Sequence, residues 1–215
     1  MRLRIMIPAI AHRTVVRYFF LAVAIVCLGF YGYAYLERVL YQAYESREFD
    51  RMPDRGAAAV AASYDQITPS GRVPSPTELI GRLSVPRLHL SAMVREGIGR
   101  DTLQLAIGHI PATALPGQPG NVGLAGHRDT FFRGLKDLRA KDEIQFSTLR
   151  GNFRYEVESL SVVDPNNTGV LAPSRENVLT LVTCYPFFYI GTAPKRFIVR
   201  ARQMSPQAVA PLTVE

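Results

Sequence analysis

The chain has 215 residues, 47% of them hydrophobic and 20% charged, with a formal net charge of +7 and two cysteines. That is enough for one medium domain with attachments, and too few cysteines for a disulfide scaffold. No tract is polar enough for disorder, and neither collagen-like nor coiled-coil periodicity is present.

Residues 1–17 carry Arg2, Arg4, Arg13 and Arg17 and no acid, so more than half of the excess charge sits in a short basic stub. Next comes an uncharged run, Tyr18 to Leu36. As a helix rising ~1.5 Å per residue it spans about 28 Å, which predicts one transmembrane helix over residues 18–36. Arginines before it and Tyr31, Tyr33 and Tyr35 at its far end place the stub in the cytoplasm and the rest of the chain outside. A cleaved signal peptide would have a shorter apolar stretch and a small-x-small site, for which Gly32-Tyr33-Ala34 is a weak match, so the segment is read as an uncleaved anchor. Val26 is too bulky for a lipoprotein signal at Cys27, which leaves that cysteine facing lipid. With the basic charge assigned to the membrane, the pI near 9.7 no longer argues for nucleic acid.

Glu37 to Arg55 mixes Glu and Arg and is expected to continue the helix out of the bilayer, with Ala57 to Ala62 able to extend it. Ile67 to Leu79 packs three prolines and a glycine into thirteen residues, a linker by composition. Residues 37–78 are therefore expected to be a stalk. Beyond it, short apolar runs alternate with turns: GRLSVPRLHL, NVGLAGH, EIQFSTL, FRYEVESLSVV, NVLTLVTC and RFIVRAR. Period-two alternation is clear in Phe153, Tyr155, Val157 and in Phe197, Val199, Ala201. Six or more strands with only short helical candidates, one capped by Asp101 over Thr102 to Ala106 and one around Phe131 to Leu138, predict an all-β barrel or sandwich. The domain is placed at residues 79–203, with a tail at 204–215.

Cys184 is a free thiol in a compartment where spare thiols are normally oxidised. It ends the apolar run Asn177 to Cys184, which Pro186 must break. A nucleophilic cysteine needs a base or acid and a donor for the developing oxyanion. His127 ends NVGLAGH, and Arg196 opens the strand after the loop YPFFYIGTAPK, which lets Cys184 and Arg196 meet across a hairpin. Taken singly, the alternatives are a buried core cysteine, a polar surface histidine and an ordinary surface arginine.

These residues resemble the sortases, cysteine transpeptidases of bacterial cell envelopes. The family's T-L-x-T-C signature stands as Thr180-Leu181-Val182-Thr183-Cys184, and its arginine follows as Arg196. The segment Gly108 to Phe132, GHIPATALPGQPGNVGLAGHRDTFF, is similar to the stretch leading to the family's histidine. ALPG, AGHRDTFF, TCYPF and APKRFIVRA are most similar to class D sortases and their Gram-negative relatives. The resemblance covers about Leu79 to Gln203 and implies a closed β-barrel of about eight strands with short helices. It further implies that Cys184 attacks the threonyl carbonyl of an LPxT-type sorting signal on a secreted protein. His127 would protonate the departing amine and later deprotonate an incoming one from a cell-wall precursor or another protein. Arg196 would donate to the oxyanion or hold the peptide, jobs that suit its fork of donors. Thr183, Tyr185 and His109 are expected to contact the peptide, His109 being also the rival for the catalytic histidine. No third triad member is assignable, Asp129 being read as a turn or cap residue.

No cofactor or metal site is expected: the histidines at 12, 89, 109 and 127 show no paired spacing. Some sortases bind calcium, but Glu143, Glu156 and Glu158 are read as scattered surface carboxylates. Papain-like peptidases are disfavoured by the chain order His127, Cys184, Arg196, and L,D-transpeptidases by the missing His-Gly and Gly-Cys-Arg pattern. The remaining alternatives are a membrane-tethered binding module with a structural Cys184 and a peptidase that hydrolyses without transferring.

Overall fold

The computed structural model describes residues 9–51, 74–149 and 151–204. Arg2 and Arg4 of the stub, Ala57 to Ala62, the linker up to Val73 and the tail from Ser205 lie outside them.

Helix α1 runs Ala9–Arg51 without interruption through the apolar run. Its described apolar part is solvent-facing in the isolated chain, and by length and composition it is the one described helix able to cross a membrane. By contacts the chain divides after Tyr41, and Gln42 to Arg51 belongs with the β-rich unit. There Gln42 donates to Leu105 O at 2.7 Å and accepts from Met93 N at 2.9 Å. Arg82 lies 5.3 Å from the Phe49 ring centroid and pairs with Asp50 at 2.8 Å. The first residues expected to be stalk are thus partly docked on the barrel, because one face of this amphipathic turn offers Gln42, Ser46, Phe49 and Asp50 together.

Eight strands follow: β1 Leu79–Val85, β2 Leu90–Glu96, β3 Ile107–His109, β4 Asn121–Ala125, β5 Glu143–Thr148, β6 Gly151–Val163, β7 Val178–Tyr185 and β8 Lys195–Gln203. They close in the order β1-β2-β3-β4-β7-β8-β6-β5, so no strand edge is left open. The pairs β2–β3 and β4–β7 are parallel and the rest antiparallel. The expected barrel is present.

Alternation decides which side chains fill it. On β7 Leu179 and Leu181 point inward, meeting Val199 and Ala201 of β8 and Tyr155 and Val157 of β6, all at 0–1% exposure. Burying a Leu side chain of this kind contributes about 1.5–3 kcal/mol. Short helix α2, Arg100–Leu105, begins one residue before the expected cap: Gly99 takes that position and Asp101 falls in the first turn. The expected helix near Phe131 is a 3-10 turn at Arg133–Asp137.

Asp142 ties the chain entering β5 to a 3-10 turn after β1. Its carboxylate accepts two bonds from Arg87, each 2.6 Å, and one from Arg139 N at 2.7 Å. The Arg87 bond holds its pKa below the ordinary carboxylate value, and the Arg139 amide adds to this. A lowered folded-state pKa means that stability is present above the unfolded value, about 3.9, and is lost as pH falls through the lower folded value. Asp142→Asn is expected to cost about 1–3 kcal/mol near neutral pH. Urea unfolding at pH 7 and pH 3 checks this, since the gap between parent and variant should shrink at the lower pH.

Candidate active site

Strand β4 lies parallel to β7, with Asn121, Gly123 and Ala125 level with Val178, Thr180 and Val182. The ladder continues past the strand end, where Gly126 N donates to Val182 O at 3.2 Å. His127 and Cys184 each lie two residues beyond Ala125 and Val182, so an extension of the same register past the strand end would set them side by side on one face. On the other side of β7, Cys184 is directly opposite Arg196 in the antiparallel pairing with β8. Residues so paired have Cβ atoms about 4.5–5.5 Å apart on one face. Cys184 and Arg196 are thus paired at one end of the outer barrel face, and His127 follows directly on the end of β4, the other neighbour of β7.

The floor of that face is a buried polar network. Thr180 Oγ1 donates to Asn121 Oδ1 at 2.7 Å, and Asn121 Nδ2 donates to the carbonyls of Val170 and Ala172 at 3.1 and 3.2 Å. Gly123 sits in a tight place here, since a Cβ would stand 3.0 Å from the side chains of both Leu171 and Thr113, which would have to give by a few tenths of an ångström. At the histidine end, a Cβ on Gly126 would meet the buried Phe132 ring at 2.7 Å. The turn closes as Phe132 N donates to His127 O at 3.1 Å, so the Phe in AGHRDTFF needs the Gly before the His.

His127 is exposed, while Cys184 and Arg196 are half-buried. Arg196 Nη1 donates to Ala193 O at 3.3 Å and Lys195 O at 3.0 Å, and its Nε and Nη2 have no acceptor among the described residues. The guanidinium is thus held by one nitrogen with two left over for a bound group. Asp129 is exposed and caps no helix: the following 3-10 turn has Phe132 at its N-cap and no side-chain cap.

The three residues expected to contact a peptide are placed differently. Thr183 is 2% exposed and its hydroxyl donates to Gly126 O at 2.7 Å, which makes it the strut that fixes the His127 turn to β7. Tyr185 falls on the face of β7 opposite Cys184 and stacks on Phe197, with Phe187 edge-on to it. His109 is also 2% exposed, because its partner across β4 is the core residue Leu124. Its Nδ1 lies 2.6 Å from Glu96 and its Nε2 3.0 Å from Ala114 O. It is thus buried with a partner at each ring nitrogen. The sequence pattern held a signal for this: His109 alternates in phase with the buried Ile107.

Two features were missed by sequence reasoning. Glu96, the buried partner of His109, sits at the end of an ordinary-looking strand. Arg128 Nη1 donates to Pro186 O at 3.0 Å, and its Nη2 donates to Tyr189 O and Gly191 O at 2.7 and 3.2 Å. Of the candidate calcium carboxylates, Glu143 is bonded to Arg154 and Glu158 to Arg202 and Arg200. Tyr155, pushed up to about 12 by burial, keeps its proton at neutral pH.

The family model described as the sortase domain matches residues 83–204. "Sortase D" of Bacillus subtilis is 28% identical over 197 residues, covering 90% of this chain and 100% of that protein. A Clostridium perfringens Sortase D5 transpeptidase structure superposes with TM-score 0.61 at 25% identity, over 79% of this chain and 99% of that one. Sortase C of the same organism, solved with the C-terminal cell wall sorting motif, superposes with TM-score 0.64 at 21% identity, over 78% and 99%.

Proposed function

Since the chain belongs to the sortase family of cysteine transpeptidases, we propose that it cleaves an LPxT-type sorting signal and passes the acyl group to an amine of the cell envelope. The observation that carries this reading is the pairing of Cys184 with Arg196 across β7–β8, with β4 running parallel to β7 and ending two residues before His127. In the proposed reaction Cys184 passes its thiol proton to His127 and its Sγ bonds to the threonyl carbonyl carbon, while Arg196 Nε and Nη2 donate to the oxyanion that forms. As the carbonyl reforms, the C–N bond breaks and His127 gives its proton to the leaving amine. An incoming amine then attacks the thioester, His127 takes its proton, and Cys184 leaves as the thiolate.

The anchor reading rests on α1 and the arginines before it: a single-pass protein with a cytoplasmic N-terminus and the barrel outside. Such an enzyme meets secreted proteins as they leave the membrane. The partners proposed are those proteins and an amine on a wall precursor or another polypeptide, with residues 37–78 as stalk and linker and 79–203 as the catalytic domain.

The test is a peptide assay on the full chain in detergent, with LPxTA and LPxTG peptides and a soluble amine. Expected is amine-dependent ligation product and, with hydroxylamine, the hydroxamate that a thioester yields. Hydrolysis unaffected by any amine would identify a peptidase instead, and no cleavage of either peptide would remove the proposed substrate class.

A further inference from the structure

The loop from Pro186 to Pro194 joins Cys184 to Arg196, yet it has no ladder of its own. Its tip is poorly anchored by burial: Phe188 is 76% exposed, Tyr189 46% and Ile190 101%. A segment with so little buried apolar surface opens readily unless its polar groups are tied. They are tied by arginine. Arg128 takes three carbonyls of the loop, those of Pro186, Tyr189 and Gly191, and lies 5.8 Å from the Tyr189 ring centroid. Arg196 holds the carbonyls of Ala193 and Lys195 at the loop's other end.

Arg128 follows His127 in the chain, so its three bonds fasten the loop to the turn that carries the proposed catalytic histidine. We propose that Arg128 is a positioning residue for peptide binding: it holds the 186–194 loop as a wall beside Cys184 and keeps Arg196 seated. This rests on the transpeptidase reading for its kinetic consequence, but the fastening itself does not. A planar guanidinium reaches three carbonyls with charge-assisted bonds from two nitrogens. A lysine ammonium, a single point donor, cannot span the same three.

The experiment compares Arg128→Ala and Arg128→Lys in the full chain, in detergent, on a Cys27→Ala background so that Cys184 is the one thiol. Amide hydrogen exchange is read over 187–194, KM and kcat with an LPxTA peptide, and the rate of Cys184 alkylation by iodoacetamide. Expected for Arg128→Ala is exchange in the loop faster by about tenfold or more and KM raised by about tenfold. Alkylation should stay within about twofold, since a small reagent needs no wall. Arg128→Lys should restore less than half of each loss, and it decides the matter alone if the alanine chain does not fold. Unchanged loop exchange overturns the proposal. So does a fall in kcat with KM unchanged, because the wall would then not be what Arg128 sets. If the parent chain turns over no peptide, the transpeptidase reading fails, while the exchange result still decides whether Arg128 fastens the loop.

Discussion

Cys184→Ala is expected to abolish both cleavage and transfer, by about four orders of magnitude or more, because the covalent path disappears with the sulfur. Cys27→Ala should leave both unchanged, its side chain lying exposed on the apolar part of α1. Three structural facts make the first result separable from unfolding. Cys184 is half-buried at the end of β7, its thiol makes no hydrogen bond among the described residues, and its neighbours Thr183 and Leu181 carry the packing. Removing one sulfur should therefore cost little stability, and the variant should retain the parent's thermal unfolding midpoint. Arg196→Lys provides the companion measurement. Lysine keeps the charge opposite Cys184 but loses the fork that lets one nitrogen hold Ala193 O and Lys195 O while the others have no acceptor among the described residues. A fall of about 10²–10³ in kcat, the usual effect of losing an oxyanion donor, is expected. A Cys184→Ala chain that still ligates peptide to amine would refute the proposed nucleophile.

The barrel was legible in the sequence because alternation is a local signal. Phe153, Tyr155, Val157 and Phe197, Val199, Ala201 announce which face is inside, and both triplets do pack against the core. Likewise the hairpin that opposes Cys184 and Arg196 follows from a strand, a turn-rich loop and a strand. What sequence could not give was the partnering of distant segments. The parallel pairing of β4 with β7, the strands that lead to His127 and Cys184, links residues nearly sixty positions apart without any local mark. The same holds for Arg128, whose partners lie 58–63 residues on. The burial of Thr183 and His109 was hidden for a different reason. Both sit inside long motifs, and a motif records structural struts as faithfully as it records groups that meet substrate.

Glu96→Ala is expected to destabilise the barrel by about 3–5 kcal/mol, the largest stability effect among the described polar side chains. Glu96 and His109 are 4% and 2% exposed and face each other across the parallel β2–β3 pair. Thr113 Oγ1 donates to Ile110 O at 2.7 Å, and His109 Nε2 faces Thr113 Oγ1 at 3.1 Å and Ala114 O at 3.0 Å. His109 Nδ1 lies 2.6 Å from the Glu96 carboxylate. Deleting the carboxylate leaves Nδ1 without its partner in a dry site. It also loosens the 110–114 segment, whose Thr113 accepts from Gly123 N at 3.0 Å and lies against the β4 face leading to His127. Activity should therefore fall along with stability. Replacing both partners, Glu96→Leu with His109→Leu, removes the unpaired buried polar group and should unfold at a higher urea midpoint than Glu96→Ala, which separates the cost of a broken pair from the worth of the pair itself. A Glu96→Ala chain that loses less than about 1 kcal/mol would mean that the pair is hydrated rather than sealed, since exposed ion pairs contribute no more than that.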